Sequence, residues 1–206
     1  MSPLSGKKKR WIRRALWVIV LSSIFVINRS EMHRIPKTER IKELKPWQTF
    51  SIVQVEGLLL TPARKLKSGV WFALLADQSG RLFLFVKQWP PNLSKKAGTR
   101  LLARGRLMLS KGRNMSVQVT TIQEAKKKVV TLFGKISTLK KPPKNSSIPW
   151  RIQLENSTQP MQLVFWFTPT QPLHKGVSIK ATGALSVYNE QLQLKIDHPK
   201  NIQPTP

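Results

Sequence analysis

Cysteine is absent from this chain of 206 residues, which excludes disulfides, thiolate metal sites and thiol nucleophiles. Histidine occurs three times, as His33, His174 and His198, and no two are spaced as a ligand pair. Acidic side chains are also scarce. Of the nine Asp and Glu, the six beyond residue 45 are too scattered to suggest paired carboxylates for acid/base chemistry. No Walker glycine loop, G-x-S-x-G elbow or H-E-x-x-H pattern occurs. No catalytic residue, metal or cofactor is therefore expected, and the chain reads as a binding protein rather than an enzyme.

Basic residues fill the other side of the balance. There are 36 Lys and Arg, for a formal net charge of +27. Residues 1–45 hold 12 of these bases and 3 acids, so the remainder still carries +18. The excess is not confined to a tail. Such a field attracts phosphate backbones or anionic lipid headgroups, or it serves general solubility.

A pattern of glycines recurs at a spacing near 78 residues. Gly57, Gly98 and Gly105 return as Gly134, Gly176 and Gly183, at offsets of 77, 78 and 78, and Trp71 has a counterpart in Trp150. Short alternating strands accompany both copies, which predicts two copies of one small β unit rather than a solenoid.

The amino terminus reads KKKRWIRR over 7–14 and ALWVIVLSSIFVI over 15–27. The uncharged run spans roughly 20 Å as a helix, against a hydrocarbon core of ~30 Å. Counted from Trp11 to Asn28 it approaches that length, with Arg13 and Arg14 snorkelling toward headgroups. A cleaved signal peptide shares this plan, yet no small-x-small site follows Asn28. A soluble buried helix is a third option. The expectation is an uncleaved anchor that places residues 11–28 in the inner membrane, amino terminus in the cytoplasm by the positive-inside rule and the bulk outside. Residues 29–47, charged and carrying Pro36 and Pro46, read as a stalk with a helical turn or two near 38–44.

In the first copy the strands are FSIVQVEGLLL (50–60), VWFALLAD (70–77), RLFLFVK (81–87), GTRLLARGRLMLS (98–110) and MSVQVTTIQE (115–124). The D-x-x-G turn at Asp77–Gly80 joins the second to the third, with Asp77 expected to cap its own turn. The second copy is looser: LFGKIS (132–137), WRIQLE (150–155), MQLVFWF (161–167), GVSIKATGALSV (176–187) and QLQLKID (191–197). Lys126, Lys127 and Lys128 form a basic joint.

Phe72, Leu75, Asp77 and Gly80, with Val55 and Gly57 before them and Gly98 and Gly105 after, resemble the F-x-x-L-x-D-x-x-G pattern of OB-fold nucleic-acid-binding domains. The resemblance covers about 75 residues. Taken with the repeat and the apolar run near the amino terminus, it gives the expectation of an all-β protein of two tandem five-stranded Greek-key barrels behind one helix. The expected divisions are 1–28 anchor, 29–47 stalk, 48–125 first barrel and 126–206 a degenerate second barrel.

Alternation in 81–87 turns Leu82, Leu84 and Val86 inward, leaving Arg81, Phe83, Phe85 and Lys87 outward. In the family this face binds single strands, aromatics stacking on bases and cations tracking phosphates. Trp71 and Trp89 are expected to extend the platform. Arg64, Lys65 and Lys67 would contribute from the first loop, and Arg100, Arg104, Arg106, Lys111 and Arg113 from the fourth strand and its hairpin. In the second copy Trp166 and Arg151 hold the equivalent places. The two phenylalanines have other uses: packing between the barrels, or contact with a protein partner. The leading expectation is thus a membrane-anchored protein binding single-stranded DNA with little sequence readout. The alternative is an anchored envelope scaffold that binds a protein or an anionic polymer.

Overall fold

The computed structural model describes residues 36–110, 114–144, 146–155 and 161–205. The anchor expected over 11–28 lies outside them, as do Lys111 and Arg113. Among the described residues no helix is long and apolar enough to cross a membrane. The chain divides into Met1–Lys37 and Thr38–Pro206, and every described element belongs to the latter.

The architecture is all-β. Strands β1 (Thr38–Glu39), β2 (Ile52–Leu59), β3 (Arg64–Lys65), β4 (Trp71–Ala76), β5 (Arg81–Val86), β6 (Arg100–Leu109) and β7 (Met115–Glu124) make the first sheet, in the order β1-β2-β6-β7-β5-β4-β3. An added β2–β4 pairing closes five of them into a barrel. β5 and β7 run parallel, and the other pairs within the ring are antiparallel. This is the Greek-key order of an OB-like barrel.

The second sheet holds β8 (Val129–Lys140), β9 (Trp150–Leu154), β10 (Gln162–Phe165), β11 (Ser178–Tyr188), β12 (Gln191–Lys195) and β13 (Ile202–Pro204). Its pairings β8–β9, β9–β10, β10–β12, β12–β11 and β11–β8 repeat the same ring, again with one parallel pair, β10–β12.

Side-chain alternation follows the expected parity in β5, where Leu82, Leu84 and Val86 are buried. β2 and β4 do not alternate cleanly. Leu59, Ala73 and Leu75 enter the first core, while Leu58, Leu60 and Ala76 on the opposite faces enter the second, with Leu74 packed against it. These two strands are therefore apolar on both sides, and packing between the sheets falls to Leu58, Leu60, Leu74 and Ala76.

Part of the glycine repeat has a steric cause. A Cβ on Gly105 would meet the Gln118 carbonyl oxygen, and one on Gly183 the Lys195 carbonyl oxygen. Each lies on the long fourth strand of its ring, where the fifth strand's backbone passes too closely for a side chain. β6 also shifts register against β7 between Arg104 and Gly105.

The stalk expected over 29–47 is corrected from Thr38 onward. Instead of standing free, this segment straps the first barrel: β1 pairs parallel to β2, and Ile41 and Leu44 are buried in the first core. In place of α-helical turns it forms 3-10 turns at Ile41–Glu43 and Pro46–Gln48. Asp77 fastens it. Its Oδ1 accepts from the Ser79 and Gly80 amides at 2.6 and 2.8 Å and from the Ser79 hydroxyl, while Oδ2 accepts from the Ile41 amide at 2.9 Å. One carboxylate thus caps its own turn and holds the strap.

Asp77→Ala leaves these donors without an acceptor, and hydrogen bonds to a charged group contribute about 1.5–3 kcal/mol each. A loss of roughly 2–4 kcal/mol is expected in urea unfolding, since water reaches the part-buried site. Gly183→Ala should cost about 1–3 kcal/mol by overpacking, measured the same way.

Candidate nucleic-acid interface

The cross-strand registers of the first barrel place one row of side chains across its outer surface. Arg64 stands opposite Phe72, Phe72 opposite Phe85, Phe85 beside Gln118, and Gln118 opposite Arg106. Cross-strand neighbours lie on one face, so the row runs over five strands, an arc of roughly 19 Å at the usual strand spacing. Phe83 occupies the next row, between Leu74 and Ser116.

Three rings meet here. Phe72 lies 5.5 Å from Phe83 and 5.6 Å from Phe85, centroid to centroid, a range typical of favourable aromatic pairs. The Arg64 guanidinium sits 5.1 Å from the Phe72 centroid, within cation–π reach. All three rings are half-buried, with Arg81, Lys87 and Arg106 exposed on the same face; Lys65, opposite Trp71, lies on the other face of its strand, and Lys67 is exposed in the loop beyond it. A groove of about 500 Å³ opens beside the rings, bounded by Arg64, Phe72, Leu74 and Phe83 and, from the second sheet, Glu190.

Several expected site residues stand elsewhere. Trp71 has the inward parity of Ala73 and Leu75 and packs against the first core, so it faces away from the row. Trp89 is buried, its indole N–H donating to the Leu93 carbonyl at 3.0 Å and its ring 6.0 Å from Trp71. Trp89 and Leu93, from the Pro-rich connection, join the first core with Trp71 packed against it, and the Lys95 ammonium lies 4.4 Å from the Trp71 ring. Arg100 is drawn into an ion pair with Glu56 at 2.7 Å, with only 12% of its side chain exposed. Its charge is compensated and held to the sheet.

Arg104 shares the face of Arg106, as their alternation predicts. In the second sheet Trp166 is exposed, its indole N–H donating to the Ser147 carbonyl at 3.1 Å, with the Lys195 ammonium 5.8 Å from its ring. Arg151 is half-buried, its guanidinium 6.0 Å from the Tyr188 ring. Sequence reasoning placed Phe72 in a motif but not on the platform. Its signal was there: once Phe85 is outward, the residue opposite it must be outward too. Glu190 and Gln118 carried no comparable signal.

Among the described residues no group of three or more His, Asp or Glu is placed to hold a metal ion. No protein-family model matches the chain, and a search of curated proteins finds no match. Solved structures share partial likeness. Asparaginyl-tRNA synthetase from Pyrococcus horikoshii, complexed with asparaginyl-adenylate, is 14% identical at a TM-score of 0.35 over 43% of this chain. The chain spans 22% of that synthetase. Single-stranded DNA binding protein from Thermus aquaticus is 19% identical at a TM-score of 0.34, over 75% of this chain and 92% of that one. A murine DNA binding protein bound with double-stranded DNA is 10% identical at a TM-score of 0.31, over 75% and 96%.

The two classes of aromatic separate by stability. Trp89→Ala should cost about 3–5 kcal/mol, as for a buried large ring. Phe85→Ala, on the half-buried outer face, should cost roughly half as much or less. Equal losses in denaturant unfolding would place Phe85 in the core.

Proposed function

We propose that the chain binds single-stranded nucleic acid along the outer row of the first barrel, with the two rings of strands acting as two OB-like domains. The observation that carries this reading is the cluster of Phe72, Phe83 and Phe85 on an exterior face, bracketed by Arg64, Arg81, Lys87 and Arg106. Rings half-open to solvent in a groove offer their faces to unstacked bases, which a duplex keeps stacked on one another. The surrounding cations meet the backbone without reading sequence. In this reading DNA is the strand, and residues 11–28 tether the chain to the inner membrane with the barrels outside the cytoplasm.

A protein partner is the second reading. It is favoured by Val129 and Phe133, both on the outer face of β8 and 66% and 69% exposed.

Four phosphate contacts predict a slope of log K against log salt near −3, at about −0.7 per contact for single strands. Fluorescence anisotropy with a single-stranded oligomer from ~50 mM salt upward measures it, and absence of binding at the lowest salt would contradict the reading. Phe72→Ala and Phe85→Ala should each weaken binding by about 1–3 kcal/mol with the salt slope unchanged. Glu190→Gln, which removes the one carboxylate among the described residues that line the groove, should strengthen it.

A further inference from the structure

The second sheet carries a different kind of surface. Across its outer face Gln153 stands opposite Gln162, Gln162 beside Gln193, and Gln193 opposite Ser186. At one end of this amide row lies the β11–β12 turn, where Asn189 and Glu190 both have positive φ, 48° and 58°. That is the backbone of a tight two-residue hairpin, and it seats Tyr188 opposite Gln191.

A cavity of about 140 Å³ opens between the row and the turn, lined by Arg151, Gln162, Tyr188, Asn189, Gln191 and Gln193 over a floor of Leu192. The size is informative, because a protein cavity of ~150 Å³ accepts benzene. There is room for one six-membered ring. The wall chemistry narrows the class further. Each Gln or Asn amide offers both a donor and an acceptor, whereas a phosphate uses donors alone. The side chains of Gln162, Gln191, Gln193 and Asn189 make no hydrogen bond to another described residue. Next to Gln193 in the row, the buried Ser186 hydroxyl also lacks a partner. Neutral groups presenting both polarities around a ring-sized space match the hydrogen-bonding edge of a nucleobase, with Tyr188 beside it to stack and Arg151 as the one charge among the described lining residues.

We infer that this cavity takes a single pyrimidine base, so that the second sheet gives base preference to a strand the first sheet holds without it. The inference rests on the single-strand reading above. Asn189 lines this cavity and Glu190 lines the aromatic groove, so one two-residue turn separates the two sites and a single strand reaches both.

The test uses the full chain and three fluorescent single-stranded twelve-mers: thymidine, deoxyadenosine and abasic. The thymidine oligomer should bind about tenfold more tightly than the deoxyadenosine oligomer. In the double variant Gln162→Leu, Gln193→Leu the two should become equal while binding persists. Adenine self-stacking alone could favour thymidine, but that preference would survive in the variant, so its survival overturns the inference. Equal affinities in the unaltered chain overturn it as well and leave the first-sheet reading intact. Failure to bind any of the three removes both. Tyr188→Ala, at a side chain 56% exposed, gives a second variant that should fold normally and lose the preference.

Discussion

A sheet of five short strands closes into a ring only if its long members bend sharply, and here that bend is made possible by backbones that touch. At Gly57 a Cβ would sit 2.5 Å from the Ala76 carbonyl oxygen, where β2 begins to pair with β4 and completes the ring. Gly105 and Gly183 play the matching part on β6 and β11. Closure fixes the register of every strand, and register decides which side chains share a face. Leu82, Leu84 and Val86 fill the first core because Phe83 and Phe85 are held outside, and Phe72 joins those rings because it pairs with Phe85. The surface proposed for binding is a consequence of ring closure.

Charge acts on that frame in a second way. Acidic residues are so few that each described one has a local task or stands alone. Asp77 caps its turn and holds the strap, Glu56 neutralises Arg100, and Glu43 accepts from the Arg40 amide. Among the described residues, Arg100 pairs with Glu56, and an exposed pair joins Lys195 to Asp197. Exposed pairs of the latter kind contribute little to stability. With 36 bases against 9 acids, carboxylates can compensate only a minority of the positive charge, and the attraction of the rest for a polyanion should fade with added salt as counterions screen it.

Much of this was legible in the sequence where one physical rule acted alone. Strand β5 is buried on one side only, so alternation sorted Arg81, Phe83, Phe85 and Lys87 correctly from their neighbours. Within the glycine repeat, Gly57, Gly105 and Gly183 stand where chains approach, while Gly98 and Gly176 stand in turns at positive φ, and the D-x-x-G turn announced the capping role of Asp77. The misreadings fell where two rules overlapped. β4 is apolar on both faces because it serves two cores, so WFALLA shows no alternation and Trp71 passed for an outward ring. Trp89 sits in an irregular connection that has no period to read. Arg100 looked free because its partner, Glu56, belongs to a strand 44 residues earlier. Ile41 and Leu44 were hidden in a charged segment that looked like a tether, though their spacing of three suits a single buried turn.

The central claim is that ring closure puts the three phenylalanines on the surface that meets a strand. Ultraviolet crosslinking of the full chain to a single-stranded oligomer, followed by mass-spectrometric mapping, tests it most directly. The account predicts crosslinks at Phe72, Phe83 or Phe85 and none at Trp71 or Trp89. Crosslinks confined to other surfaces, with these three rings untouched, would contradict it.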